Sequence, residues 1–135
     1  MFYDLLDLPE KPHLLSAETM AYIGDSLYEI FIRSYLIEKG IRKGNNLHQQ
    51  AIKYVNAEAQ AELLQRLNKH LTEEEKVIVR RGRNSNSSSV PKNADVADYR
   101  YSTAFEALLG YLYLVKKEDR LEELLTEIKR IIDEI

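Results

Sequence analysis

Residues 21–32 read AYIGDSLYEIFI, a mostly apolar run with Gly24 and Asp25 near its centre. Around it, Met20, Ile23, Leu27, Ile30, Phe31 and Ile37 recur at three- and four-residue steps, which predicts an amphipathic helix rather than a strand. Upstream, beyond Pro9 and Pro12, Ser16 is a natural N-cap. Glu18 then falls in the first turn, where the helix dipole favours an acid. Downstream, Lys39-Gly40 makes a normal helix stop.

The helical period continues through the rest of the chain. Asn45 or Asn46 starts a second helix through Leu47, Ala51, Ile52 and Val55, and Asn56 caps a third, AEAQAELLQRLNKHL, rich in strong helix formers. Thr72 with Glu75 three residues on is a capping box that opens a fourth helix, ending near Gly82. Residues 83–94, RNSNSSSVPKNA, have the composition of an exposed loop, and a long loop in a compact domain is commonly a functional one. A fifth helix begins between Asp95 and Asp98 and carries Phe105, Leu108, Leu109, Leu112 and Tyr113. A sixth, from Glu118, is amphipathic through Leu121, Leu124, Leu125, Ile128, Ile131 and Ile132. With no strand pattern, repeat or linker, the expectation is an all-α helical bundle, one domain over residues 1–135.

Composition narrows the chemistry. The absence of Cys excludes disulfides, thiolate zinc sites and thiol nucleophiles. The N-terminal MFYDLLDLPEKPHLL lacks a basic stretch followed by an apolar run, and no segment reaches membrane-spanning length, so a soluble cytoplasmic protein is expected. A net charge of -3 argues against a polycation that coats nucleic acid. Charge is unevenly spread, however. Residues 1–32 hold one basic and six acidic side chains, residues 33–54 five and one, and residues 80–100 five and two. Either each basic segment is a solvated face, or the fold joins them into a stripe that follows phosphates.

Asp25 is the anomaly of the opening run. Glycine costs about 1 kcal/mol against alanine inside a helix, so Gly24 marks close packing or function. An acid between Ile23 and Leu27 either faces solvent at the edge of the stripe or is buried and paired. Glu106 poses the same question within AFEALLGYLYL, a second apolar helix with a glycine. Two such helices can pack closely and point both carboxylates into one cleft. Hard oxygen ligands suit Mg²⁺, which takes one or two carboxylates and leaves room for phosphate.

AYIGDSLYE resembles the signature helix of the ribonuclease III family, roughly Glu-Phe-Leu-Gly-Asp-(Ser/Ala)-hydrophobic. TAFEALLGYLYL resembles the family's second motif, Asp-(Thr/Ala)-hydrophobic-Glu-Ala-hydrophobic-hydrophobic-Gly. Order and separation also fit, so the resemblance spans about residues 15–116. With RRGRN, PKNADV and YRYSTAFEALLGYL, and no double-stranded-RNA-binding domain following, the chain is similar to the family's stand-alone Mini-III branch. This resemblance implies a ribonuclease III endonuclease domain-like helical bundle. Asp25 and Glu106 would be catalytic ligands of Mg²⁺, with Mn²⁺ able to substitute. Ala21 and Thr103 stand where the larger enzymes carry two more acids, leaving two of the family's four carboxylates. Thr103 shares the face of Glu106 and would hold a water of the cation's shell. Glu18, seven residues before Asp25, is either an indirect ligand or a first-turn acid favoured by the dipole.

Double-stranded RNA is read mainly by shape through phosphates and 2′-hydroxyls. Arg80, Arg81, Arg83 and Asn84 lead into the loop, Lys92 and Asn93 close it, and Arg100 lies between Tyr99 and Tyr101. These are the expected RNA contacts; Arg42, Lys43, Asn46, His48 and Lys53 are weaker ones. His13, His48 and His70 are expected to be non-catalytic. The resemblance further implies a homodimer through the signature helices and cleavage that leaves 5′-phosphate and 3′-hydroxyl ends. It also implies precursor 23S ribosomal RNA as substrate, presented in one version by a ribosomal protein, and no membrane. The alternative is an inactive RNA- or ribosome-binding scaffold of the same fold.

Overall fold

The computed structural model describes residues 2–85, 90–92 and 94–135. Six α-helices form where the apolar period runs: α1 (Ala17–Glu38), α2 (Gly44–Val55), α3 (Ala57–Leu67), α4 (Glu73–Arg83), α5 (Val96–Leu114) and α6 (Glu118–Asp133). Short 3₁₀ turns, which hydropathy alone does not signal, occupy Phe2–Leu5, Pro12–Leu14 and Asn68–His70. No strand occurs among the described residues.

The caps are local and follow the sequence. Ser16 accepts from the Thr19 amide, Asn56 from Ala59 and Asp95 from Asp98, while Thr72 and Glu75 form the reciprocal capping box. α2 starts slightly earlier than Asn45, because the Leu47 amide already bonds the Lys43 carbonyl.

α5 is the centre of the molecule and packs against α1, α3, α4 and α6. Its run from Ala104 to Leu114 is buried except at Glu106, as expected of a helix apolar on nearly every side. α1 covers α5 with Met20, Gly24, Tyr28 and Ile32, and Tyr28 meets Phe105 edge-on with ring centroids 4.9 Å apart. This corrects the apolar stripe read from sequence. Ile23, Leu27 and Phe31 are only partly buried, and Ile30 and Ile37 are exposed. α1 carries apolar residues on two faces, and α5 covers one of them.

Glycines set the closest approaches. A Cβ on Gly24 would lie 1.7 Å from the Glu106 carbonyl oxygen, and one on Gly110 would lie 1.8 Å from that of Met20. α1 and α5 therefore cross backbone to backbone. Gly82 of α4 makes a third contact, 2.6 Å from its would-be Cβ to the Ala104 Cα.

Candidate active site

The glycine crossing creates the site. Asp25 follows Gly24, and Glu106 is the residue whose backbone fills the space a Gly24 side chain would need, so both carboxylates emerge at one point. A cleft of about 220 Å³ there is lined by Glu18, Ala21, Tyr22, Asp25, Ser85, Tyr99, Thr103 and Glu106. Asp25 is exposed at its edge, while Glu106 is half-buried. Of the two readings the sequence left for Asp25, solvent edge or buried pair, the fold gives an exposed edge beside a second acid.

Burial first, and then the adjacent Asp25 carboxylate, together push the Glu106 carboxyl up to about 8, with the Gln60 amide opposing them. Glu75 makes the contrast. It is 3% exposed, yet its carboxyl lies below the usual range. Burial works against the charge there, but Arg120 grips both oxygens at 2.8 Å and the Thr72 amide adds a bond. Glu75 is neutralised by the protein, and Glu106 has been given no such partner. An unneutralised pair of hard oxygen donors fits a divalent cation. Among the described residues no three Asp, Glu or His side chains come close enough to hold a metal. Asp25 and Glu106 are thus the candidate donor pair, and Glu18 lines the same cleft.

The raised Glu106 carboxyl predicts how stability depends on pH. Between its ordinary value of 4.5 and about 8, the folded chain holds a proton that the unfolded chain has released. Its contribution is therefore complete at low pH and lost as pH rises through about 8. Without divalent cations, thermal melts are expected to fall across this window, and Glu106→Gln removes that part of the decline. Parallel curves for the two proteins would contradict this.

The remaining sequence candidates divide. Thr103 lines the cleft, and its hydroxyl donates to the Tyr99 carbonyl, which leaves its oxygen free to accept. Arg80, Arg83, Asn84, Lys92 and Arg100 are exposed, whereas Asn93 lies outside the described residues. Arg81 is turned inward and donates to the carbonyls of His13 and Leu15 at 2.7 and 2.6 Å, holding the segment that enters α1. Arg81→Ala should therefore cost about 1.5–3 kcal/mol of stability, the range for hydrogen bonds to a charged group. Arg80→Ala, Arg83→Ala and Arg100→Ala should leave melting unchanged and flatten the salt dependence of RNA binding. Calorimetry and filter binding separate the two classes. None of His13, His48 and His70 lines the cleft, and His70 faces Glu127 at 3.3 Å.

Sequence reading missed Gln60, which donates to Glu106 at 3.4 Å. A signal existed, since position 60 shares the apolar face of α3 with Leu63, Leu64 and Leu67. Tyr22 and Ser85 were also overlooked as cleft residues.

The all-helical fold agrees with the comparisons: the family model described as "Ribonuclease III domain" matches residues 18–117. A relative from Brevibacillus brevis named "Mini-ribonuclease 3" is 46% identical over 127 residues, covering 94% of this chain and 95% of that protein. A protein of the same name from Symbiobacterium thermophilum is 51% identical over 115 residues, covering 85% and 88%. The crystal structure of a Fusobacterium nucleatum protein superposes with a TM-score of 0.79 at 29% identity, covering 94% of this chain and all of the other. The chain belongs to the ribonuclease III family of endoribonucleases, in the Mini-ribonuclease 3 group. Among the described residues, no helix is long and apolar enough to cross a membrane.

Proposed function

We propose that this chain cleaves double-stranded RNA with a divalent cation, Mg²⁺ or in its place Mn²⁺, held by Asp25 and Glu106. The observation that carries the reading is the unneutralised carboxylate pair at the glycine crossing. A divalent cation held by Asp25 and Glu106 would supply Lewis-acid polarisation of the scissile phosphate and a more acidic water for in-line attack, consistent with 5′-phosphate and 3′-hydroxyl products. The protein's part is to hold the two carboxylates on rigid helices, with the Thr103 oxygen in the same cleft to accept from water. The exposed Arg80, Arg83, Asn84, Lys92 and Arg100, and Asn93 outside the described residues, are assigned to the RNA, with Arg81 acting through the segment it holds.

One domain, residues 1–135, supplies one such site, and cutting both strands takes two. The uncovered face of α1 supports a homodimer: Tyr22 is 78% and Ile30 64% exposed, with Ile23 and Leu27 partly buried between them. The natural substrate proposed is the stem formed by the ends of precursor 23S ribosomal RNA, presented by a ribosomal protein, in the cytoplasm.

The test incubates the protein with a long RNA duplex, the matching DNA duplex and single strands, with and without Mg²⁺. Cutting confined to the RNA duplex plus Mg²⁺ is the expected result. Duplex binding without cutting, under any cation, would point instead to an inactive scaffold.

A further inference from the structure

Gln60 is 2% exposed and lies on the face of α3 that otherwise holds Leu63, Leu64 and Leu67. Burying an amide there costs free energy unless its groups are paired. Its Nε2 donates to the Val55 carbonyl at 3.0 Å and to Glu106 Oε2 at 3.4 Å. These partners fix the amide's orientation, because the flipped form would set Oε1 against a carbonyl and a carboxylate. Its Oε1 is left buried without a hydrogen-bond partner. An apolar side chain of similar size would fill the same space without that penalty. The expense has a return only if the bond to Glu106 matters.

We propose that Gln60 is a positioning residue for cleavage: anchored on the Val55 carbonyl, its amide holds the Glu106 carboxylate in the orientation that binds a divalent cation together with Asp25. The inference rests on the metal-binding role proposed above for Asp25 and Glu106. A neutral donor suits this task. Arg120 shows what a cationic one does at Glu75, where it occupies both oxygens and leaves no room for a metal. Gln60 engages one oxygen and adds no positive charge of its own.

Mn²⁺ binding to the full chain, read by electron paramagnetic resonance and calorimetry, tests this alongside thermal melts and duplex cleavage. Gln60→Leu is expected to weaken Mn²⁺ binding about tenfold, the scale of losses for groups that orient a metal's ligands. Its kcat should fall, while KM for the duplex stays within about twofold and melting holds or improves. Raising Mn²⁺ should recover much of the rate. Gln60→Met, closer in shape, gives the same readout should the leucine variant fold poorly. Unchanged Mn²⁺ affinity in a folded variant, with only the melting temperature lowered, would reduce Gln60 to a support of the α2–α3 corner and overturn the proposal. Asp25→Asn and Glu106→Gln separate the two levels. If they bind Mn²⁺ like wild type, or wild type has no saturable site, the metal reading fails and the role of Gln60 falls with it.

Discussion

Asp25→Asn is expected to lower cleavage of an RNA duplex by about a thousandfold or more, the scale seen when a charge-stabilising group is removed from a reacting centre. Glu106→Gln should do the same. The reason lies in the size of the donor set. With Ala21 and Thr103 at the other motif positions, and no group of three acids close enough to hold a metal among the described residues, neither carboxylate has a ready substitute. Both replacements keep the shape of the side chain and remove its charge. Folding should therefore survive, and Glu106→Gln should relieve the crowding of two acids. Without divalent cation, RNA binding should be retained or strengthened in Asp25→Asn, since a negative group has left the neighbourhood of the phosphates, and unchanged near neutral pH in Glu106→Gln, whose carboxyl already holds a proton there. Single-turnover cleavage and filter binding on the same preparations measure both. Undiminished cutting by Asp25→Asn would sink the site assignment.

Gly110→Ala is expected to be among the most damaging single-methyl changes in the fold. The added Cβ would sit 1.8 Å from the Met20 carbonyl oxygen and 3.0 Å from the Gly24 nitrogen, all of it backbone that cannot rotate aside. Helix propensity favours alanine by about 1 kcal/mol. The forced separation of α1 from α5 outweighs it, costing about 3 kcal/mol or more. For a domain of this size, that is a fall in melting temperature of about 10 °C. Gly24→Ala should behave alike, with its Cβ 1.7 Å from the Glu106 oxygen. At either position, any protein that still folds should lose cleavage, because the same separation draws Asp25 away from Glu106. Gly44→Ala is the control. Nothing lies within 4 Å of its would-be Cβ, so it should melt at or above the wild-type temperature. Equal melting of the Gly44 and Gly110 variants would refute the backbone-to-backbone crossing.

Much of the fold was legible because it is written in local chemistry. Ser16, Asn56, Thr72 with Glu75, and Asp95 each cap a helix by bonding an amide three residues away, a geometry the chain dictates within one turn. The apolar periods of α5 and α6 likewise placed their buried faces. α1 misled because apolar residues surround it, and period alone does not tell which side meets the core. Tyr28, Tyr35 and Ile32 took that side, and Ile30 was left in solvent.

The candidate pair was legible from two oddities, an acid and a glycine inside each of two apolar helices, and the family motifs gave those oddities a meaning. Arg81 could not be separated from Arg80 and Arg83 by sequence, because only the packed molecule brings the His13 and Leu15 carbonyls within its reach. The basic loop flanks were legible as charge, not as geometry.

For residues 21–32, the sequence by itself determined a helix, its start and stop, and an acid where an apolar residue was expected. Only the tertiary structure decided that Asp25 would stand beside Glu106 with no cation to neutralise them, and that Gln60 would reach in from α3. The physical reason is the range of the forces involved. Caps and periods act within a turn or two of chain, whereas the meeting of two distant carboxylates depends on how closely α1 and α5 approach. Gly24 and Gly110 set that distance.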